Sequence, residues 1–132
     1  MTRRGVSDWI FLALWLITGL LAVGEHFVVR AEERLAQELT RELDRAAAAL
    51  DEGDWTLALE TAGRARRVWE TARERLALHA EHQRLEAISE ALLEAEALIA
   101  ARSGAAGGLL VLARERIKGL PEQHRLSWSN LF

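Results

Sequence analysis

Residues 9–24 form a run of 16 residues without a charge, closed by Asp8 on one side and Glu25 on the other, near the start of the chain. As a helix the run measures about 24 Å, short of the roughly 30 Å hydrocarbon core of a bilayer. Val6 on one side and Phe27, Val28 and Val29 on the other supply the missing length. Glu25 and His26 then fall in the headgroup zone, and Trp9 takes the interfacial position that aromatic rings favour. The sequence therefore predicts a short N-terminal tail over 1–8, one transmembrane anchor over 9–29 and a helical extracytoplasmic domain over 30–132.

Orientation is read from the basic residues beside the anchor. Arg3, Arg4 and the free N-terminus favour a start in the cytoplasm. Arg30, Arg34, Arg41 and Arg45 argue weakly the other way, but they alternate with Glu32, Glu33, Glu38, Glu42 and Asp44 on a long domain. Such domains cross a membrane largely regardless of charge. The expected place is the cytoplasmic membrane, with the N-terminus in the cytoplasm and the C-terminal domain outside it. A cleaved signal peptide is the competing reading, because Ala22-Val23-Gly24 offers small residues at a cleavage site behind a basic start. Against cleavage, Val28, Leu35, Leu39, Ala46 and Leu50 fall within about 40° of one helix face, so the helical pattern runs on without a turn signal.

The residues beyond the anchor exclude or disfavour several function classes. The chain has no Cys, so it has neither disulfides nor thiolate chemistry. Its net charge is −3, and residues 30–132 alone carry 15 Lys/Arg against 18 Asp/Glu. A nucleic-acid binder gathers basic residues on one face, and no nucleic-acid partner is expected. About a hundred residues make a modest core but not a deep catalytic cleft.

The fold expected is all-α: the transmembrane helix continues into an antiparallel four-helix bundle. Its first helix runs to Asp51 and stops at Gly53, and Asp54 caps the next, over 54–79. Trp55, Ala62, Trp69 and Leu76 recur every seven residues there, as do Ala58, Ala65, Ala72 and His79, which together make a bundle seam. Leu85, Ile88, Leu92, Ala95 and Ile99 form a new stripe half a turn away from Leu76. That jump fits a chain reversal or a sharp kink near 80–83; the reversal gives the more sensible helix lengths, although the segment holds no usual turn residue. The third helix spans 83–102 and the fourth 105–118, the latter stopped by Gly119 and Pro121. Residues 120–132 are expected to be a non-helical tail. Trp55, Trp69, Leu76, Leu85 and Ile88 are the expected structural core.

Candidate chemistry is sparse. His79, His82 and Glu86 have the spacing of possible metal ligands on one helix face, but no His-Glu-x-x-His or di-iron pattern accompanies them. The bland reading puts His79 in the seam and His82 at the turn, with metal: none. The glutamates sit at helix-surface spacing, and no phosphate-cradling loop is present, so neither catalytic nor cofactor-binding residues are assigned. The C-terminal tail is the best functional candidate, since Trp128, Leu131 and Phe132 are apolar where chain ends are usually polar. They either dock on the bundle, with Asn130 bonding a helix end, or meet a partner.

The chain resembles a family of small bacterial single-span membrane proteins classed as a domain of unknown function. The resemblance rests on Trp55 and Trp69, on His82 followed by Leu85 and Ile88, and above all on the ending. That ending reads Leu120-Pro121-Glu122, then Leu126-Ser127-Trp128-Ser129-Asn130-Leu131-Phe132. Gln83, Arg84 and Gly104 depart from the acidic and polar residues of the family pattern. The resemblance implies membrane attachment and a helical extracytoplasmic domain, and it implies no reaction. The expected function is a non-enzymatic structural or protein-interaction module of the cell envelope, partnered by the membrane and by an unidentified protein or a second copy. The alternative is a ligand- or metal-sensing ectodomain with a pocket lined by His79, His82 and Glu86.

Overall fold

The computed structural model describes the backbone of residues 2–78 and 80–129, and the side chains of residues 5–78 and 80–120. It contains four helices, α1 (Thr2–Asp51), α2 (Trp55–Leu76), α3 (His82–Ala100) and α4 (Ala106–Ser129), and no strand among the described residues. The chain divides into two units, one ending at Glu32 and the other beginning at Glu33.

The first unit is the apolar part of α1. Its large apolar side chains stand mostly bare: Trp9, Phe11, Trp15, Leu20 and Phe27 are each more than two-thirds exposed, while Val28 and Val29 are half-buried. One helix here is long and apolar enough to cross a membrane, and none of its apolar window is buried. The hydroxyl of Thr18 donates to the Leu14 carbonyl at 2.7 Å, so the one hydroxyl inside the run is satisfied within the helix itself.

The second unit is a four-helix bundle. The remainder of α1 turns Ala36, Leu39, Leu43, Ala46 and Ala49 inward, α2 adds Ala58, Ala62, Ala65, Trp69 and Leu76, and the stripes of α3 and α4 close the core. Large residues meet small ones across it, which lets helices approach closely around the Trp69 ring. Charge sorts the neighbours. Residues 33–51 of α1 carry five acidic and three basic side chains, α2 three acidic and five basic, and α3 four acidic and one basic. Over residues 106–120, α4 has one acidic and three basic side chains. The sign of the charge balance thus alternates from α1 to α4 in chain order. Bridges mark the borders: Arg66 and Arg73 reach Glu96 and Glu86 from α2 to α3, and Arg114 reaches Asp44 from α4 to α1 at 3.2 Å. Arg116 of α4 donates to the Ala87 carbonyl of α3 at 2.9 Å.

The turns after α1 and α3 share one geometry. After α1, Gly53 N–H donates to Leu50 and Asp54 N–H to Ala49; after α3, Arg102 N–H donates to Ile99 and Ser103 N–H to Leu98. This is the Schellman arrangement, whose turning residue is left-handed. Gly53 has φ 73° and Arg102 has φ 52°. The side chain of Asp54 accepts from Leu57 N–H at 3.0 Å and caps α2.

Three expectations are corrected. The fourth helix does not stop at Gly119, and residues 120–129, read from the sequence as non-helical, belong to α4. Leu120 is buried, 6 % exposed, and extends the inward stripe of Leu110, Ala113 and Ile117 by one more step. Burial of that stripe outweighs the local stop signals, at the expense of the backbone bond that Pro121 cannot donate. Trp55 is only half-buried and packs against the edge of the core rather than inside it. The chain reverses between Leu76 and His82, and α2 ends three residues earlier than its seam pattern suggested.

Candidate functional site

The polar side chains of the bundle concentrate along the α2–α3 border. Trp69 is fully buried, and its indole N–H donates to the Ser89 hydroxyl at 2.8 Å, which satisfies the one polar group the ring carries into the core. One turn away, Arg66 donates to Glu96 across the border and to Glu70 on its own helix at 3.0 Å. These two carboxylates, Glu96 foremost, raise the guanidinium above its ordinary value. A raised cationic group contributes stability below its unfolded value and loses it only as pH climbs through the folded one, so this pair is constant over the physiological range. Gly63 lies under it: a Cβ there would meet a Glu96 carboxylate oxygen at 3.4 Å.

Near the reversal the border opens. The Glu86 carboxylate lies 3.6 Å from Arg73 and 3.6 Å from His82, with all three side chains at least one-third exposed. Pairs of that exposure contribute little, and the His82 partner counts only when protonated. His82 is itself the first residue of α3 and stands in solvent. Of the metal candidates, the structure therefore brings His82 and Glu86 together, while His79 lies outside the described residues. Among the described residues no group of three or more His, Cys, Asp or Glu side chains is placed to hold a metal ion.

The other sequence candidates divide the same way. Trp69, Leu85 and Ile88 are at most 1 % exposed, and Leu76 is 7 % exposed. Trp128 lies on the helical backbone of α4, with its side chain outside the described residues; Asn130, Leu131 and Phe132 also lie outside them. Sequence reasoning missed Ser89, Thr61 and the Arg114–Asp44 bridge. Thr61 is buried with its hydroxyl donated to the Leu57 carbonyl at 2.7 Å, a local bond that hides a polar residue within an apolar face. On the first unit, Phe11, Leu12, Trp15, Leu16, Leu20 and Val23 line a shallow, open apolar face around Gly19, with Asp8 at its margin.

This arrangement offers buried aromatic packing and solvated ion pairs, with no concave acid–base pair among the described residues. No curated protein and no solved structure matches the chain. Residues 26–131 match a family model described as a domain of unknown function, DUF4363, and the chain belongs to that family.

Proposed function

We propose that this chain is a membrane-anchored, non-enzymatic structural or protein-interaction module of the bacterial cell envelope, with its N-terminus in the cytoplasm and its bundle outside. The observation that carries the reading is the first unit. A helix with two tryptophans, two phenylalanines and nine large aliphatic side chains left bare is a patch far beyond what a water-soluble chain tolerates. Lipid is the solvent that accommodates it, because every backbone group in the span is bonded within the helix. The bundle supports the second half of the reading, since among the described residues its cross-helix polar side chains bond one another, as Arg66 with Glu96 and Trp69 with Ser89.

The test is fractionation of the full chain from its native host. The expected result is a mature protein that keeps residues 1–24 and stays in the membrane pellet after carbonate washing. A mature N-terminus at Glu25 with the bundle released would replace the anchor with a secretory signal. Purification from detergent-solubilised membranes then identifies the partner, or shows self-association by the mass of the detergent complex.

A further inference from the structure

The connection between α2 and α3 is made of the wrong residues for a loop in water. It leaves Leu78 82 % exposed, the most exposed large apolar side chain of the bundle among the described residues, in the run Ala77-Leu78-His79-Ala80, with none of the Gly, Pro, Asn or Asp that usually shape a turn. Its place in the bundle is fixed by helix lengths. Residues 33–51 of α1 climb about 28 Å from Glu33, and the 22 residues of α2 descend about 33 Å. The connection thus lies roughly one turn past the level of Glu33, at the end where the chain enters the bundle. The backbone of α4, 24 residues long against 19 for α3, runs past the same level. From Val29, the last apolar residue of the anchor, to Glu33 is four residues, at most about 14 Å of chain.

Resting on the membrane-anchor reading, we propose that Leu78 inserts into the interface of the bilayer that holds the anchor, so that the bundle stands on the membrane at a second point. The occupant is lipid rather than protein because the tether keeps this end of the bundle beside headgroups whether or not any partner is bound. Arg75 and Arg84 flank Leu78, both exposed and of the type that pairs with lipid phosphate; Arg84 also bridges Glu81 at 3.3 Å. Two contacts, the anchor and Leu78, restrict how the bundle tilts and so which of its faces a partner in the envelope meets.

The chain has no cysteine, so single-cysteine variants carry one label each. Leu78→Cys, Ala101→Cys at the opposite end and Leu16→Cys in the anchor are labelled with an environment-sensitive fluorophore. The full chain is placed in vesicles of phosphatidylethanolamine and phosphatidylglycerol with a nitroxide on the upper acyl chain. For a side chain buried roughly 5–10 Å at the headgroup–acyl boundary, quenching at 78 is expected to exceed that at 101 about twofold or more. Quenching at 16 with none at 78 overturns the proposal and leaves the anchor standing. A blue-shifted label at 78 that nitroxide lipid does not quench also overturns it, since protein then covers the site. Absence of quenching at 16 overturns the anchor reading, and this proposal with it.

Discussion

The two ends of the bundle are built on opposite rules. At the far end, the turns after α1 and α3 close every exposed helix terminus: left-handed residues at 53 and 102, the Asp54 cap on α2, and the Ser103 hydroxyl accepting from Ala105 N–H at 3.2 Å. At the end where the chain enters, the N-cap of α3, Glu81, makes no side-chain cap bond, and an exposed leucine sits where a polar turn would serve. Polar closure suits an end surrounded by water. An apolar, loosely capped end suits one that meets something other than water. The difference separates an end that holds the fold from one that is free to do something else.

The comparison holds only if both ends belong to one cooperative bundle, and Trp69 tests that most severely. Trp69→Ala removes the largest fully buried side chain and strands the Ser89 hydroxyl. The expected loss is about 3–5 kcal/mol, read by thermal unfolding of the full chain in detergent. A midpoint that hardly moved would mean the two ends are stabilised separately.

Trp69 also marks what the sequence made legible. Trp69 and Leu76 sit in the seven-residue repeat and Leu85 and Ile88 in the stripe that follows it, and all four are buried on the faces those spacings define. The half-turn jump from Leu76 to Leu85 called for a break in a straight helix, a reversal or a sharp kink, and the structure has the reversal. Trp55 shares the repeat but stands at the first position of α2, where the bundle ends and burial is incomplete. The path of α4 past Gly119 was illegible for the converse reason: Gly and Pro are local signals, and the burial of Leu120 is a tertiary one. The ladder of opposite charges was visible in composition, but which arginine meets which glutamate depends on helix register. As for the candidate site, spacing brought His82 and Glu86 together, and nothing in it could say that both would stand in solvent.

Smaller effects probe the closed end. Gly53→Ala places a Cβ at φ 73°, where a non-glycine residue costs about 1–2 kcal/mol, so unfolding should shift downward by that amount. Asp54→Ala deletes the bond to Leu57 N–H and should cost about 1 kcal/mol; Asp54→Asn, which keeps an acceptor, should restore most of it. Arg102 is the one place where this end works against itself. Arg102→Gly relieves about 1 kcal/mol of left-handed strain, less roughly 0.5 kcal/mol of added freedom in the unfolded chain, for a small net gain. If Arg102→Gly instead destabilised the chain, Arg102 would have to be held by its side chain, and the far end would be more than a closure.

The smallest expected effect sharpens the comparison most. Leu78 touches water over most of its surface, so Leu78→Ser should change the unfolding midpoint in detergent by less than about 0.5 kcal/mol, the usual range for surface positions. Detergent matters here, because a micelle belt shields the anchor without offering the flat headgroup plane that the bundle end would meet. The same substitution in vesicles should leave stability unchanged and alter only how strongly the bundle is held to the surface. A loss above about 1 kcal/mol in detergent, outside that surface range, would mean that Leu78 is covered by the chain itself. The apolar end would then be a second closure made with different residues, and the contrast between the two ends would dissolve. A neutral result keeps the contrast, since a leucine that can be removed without loss to the fold is not there for the fold.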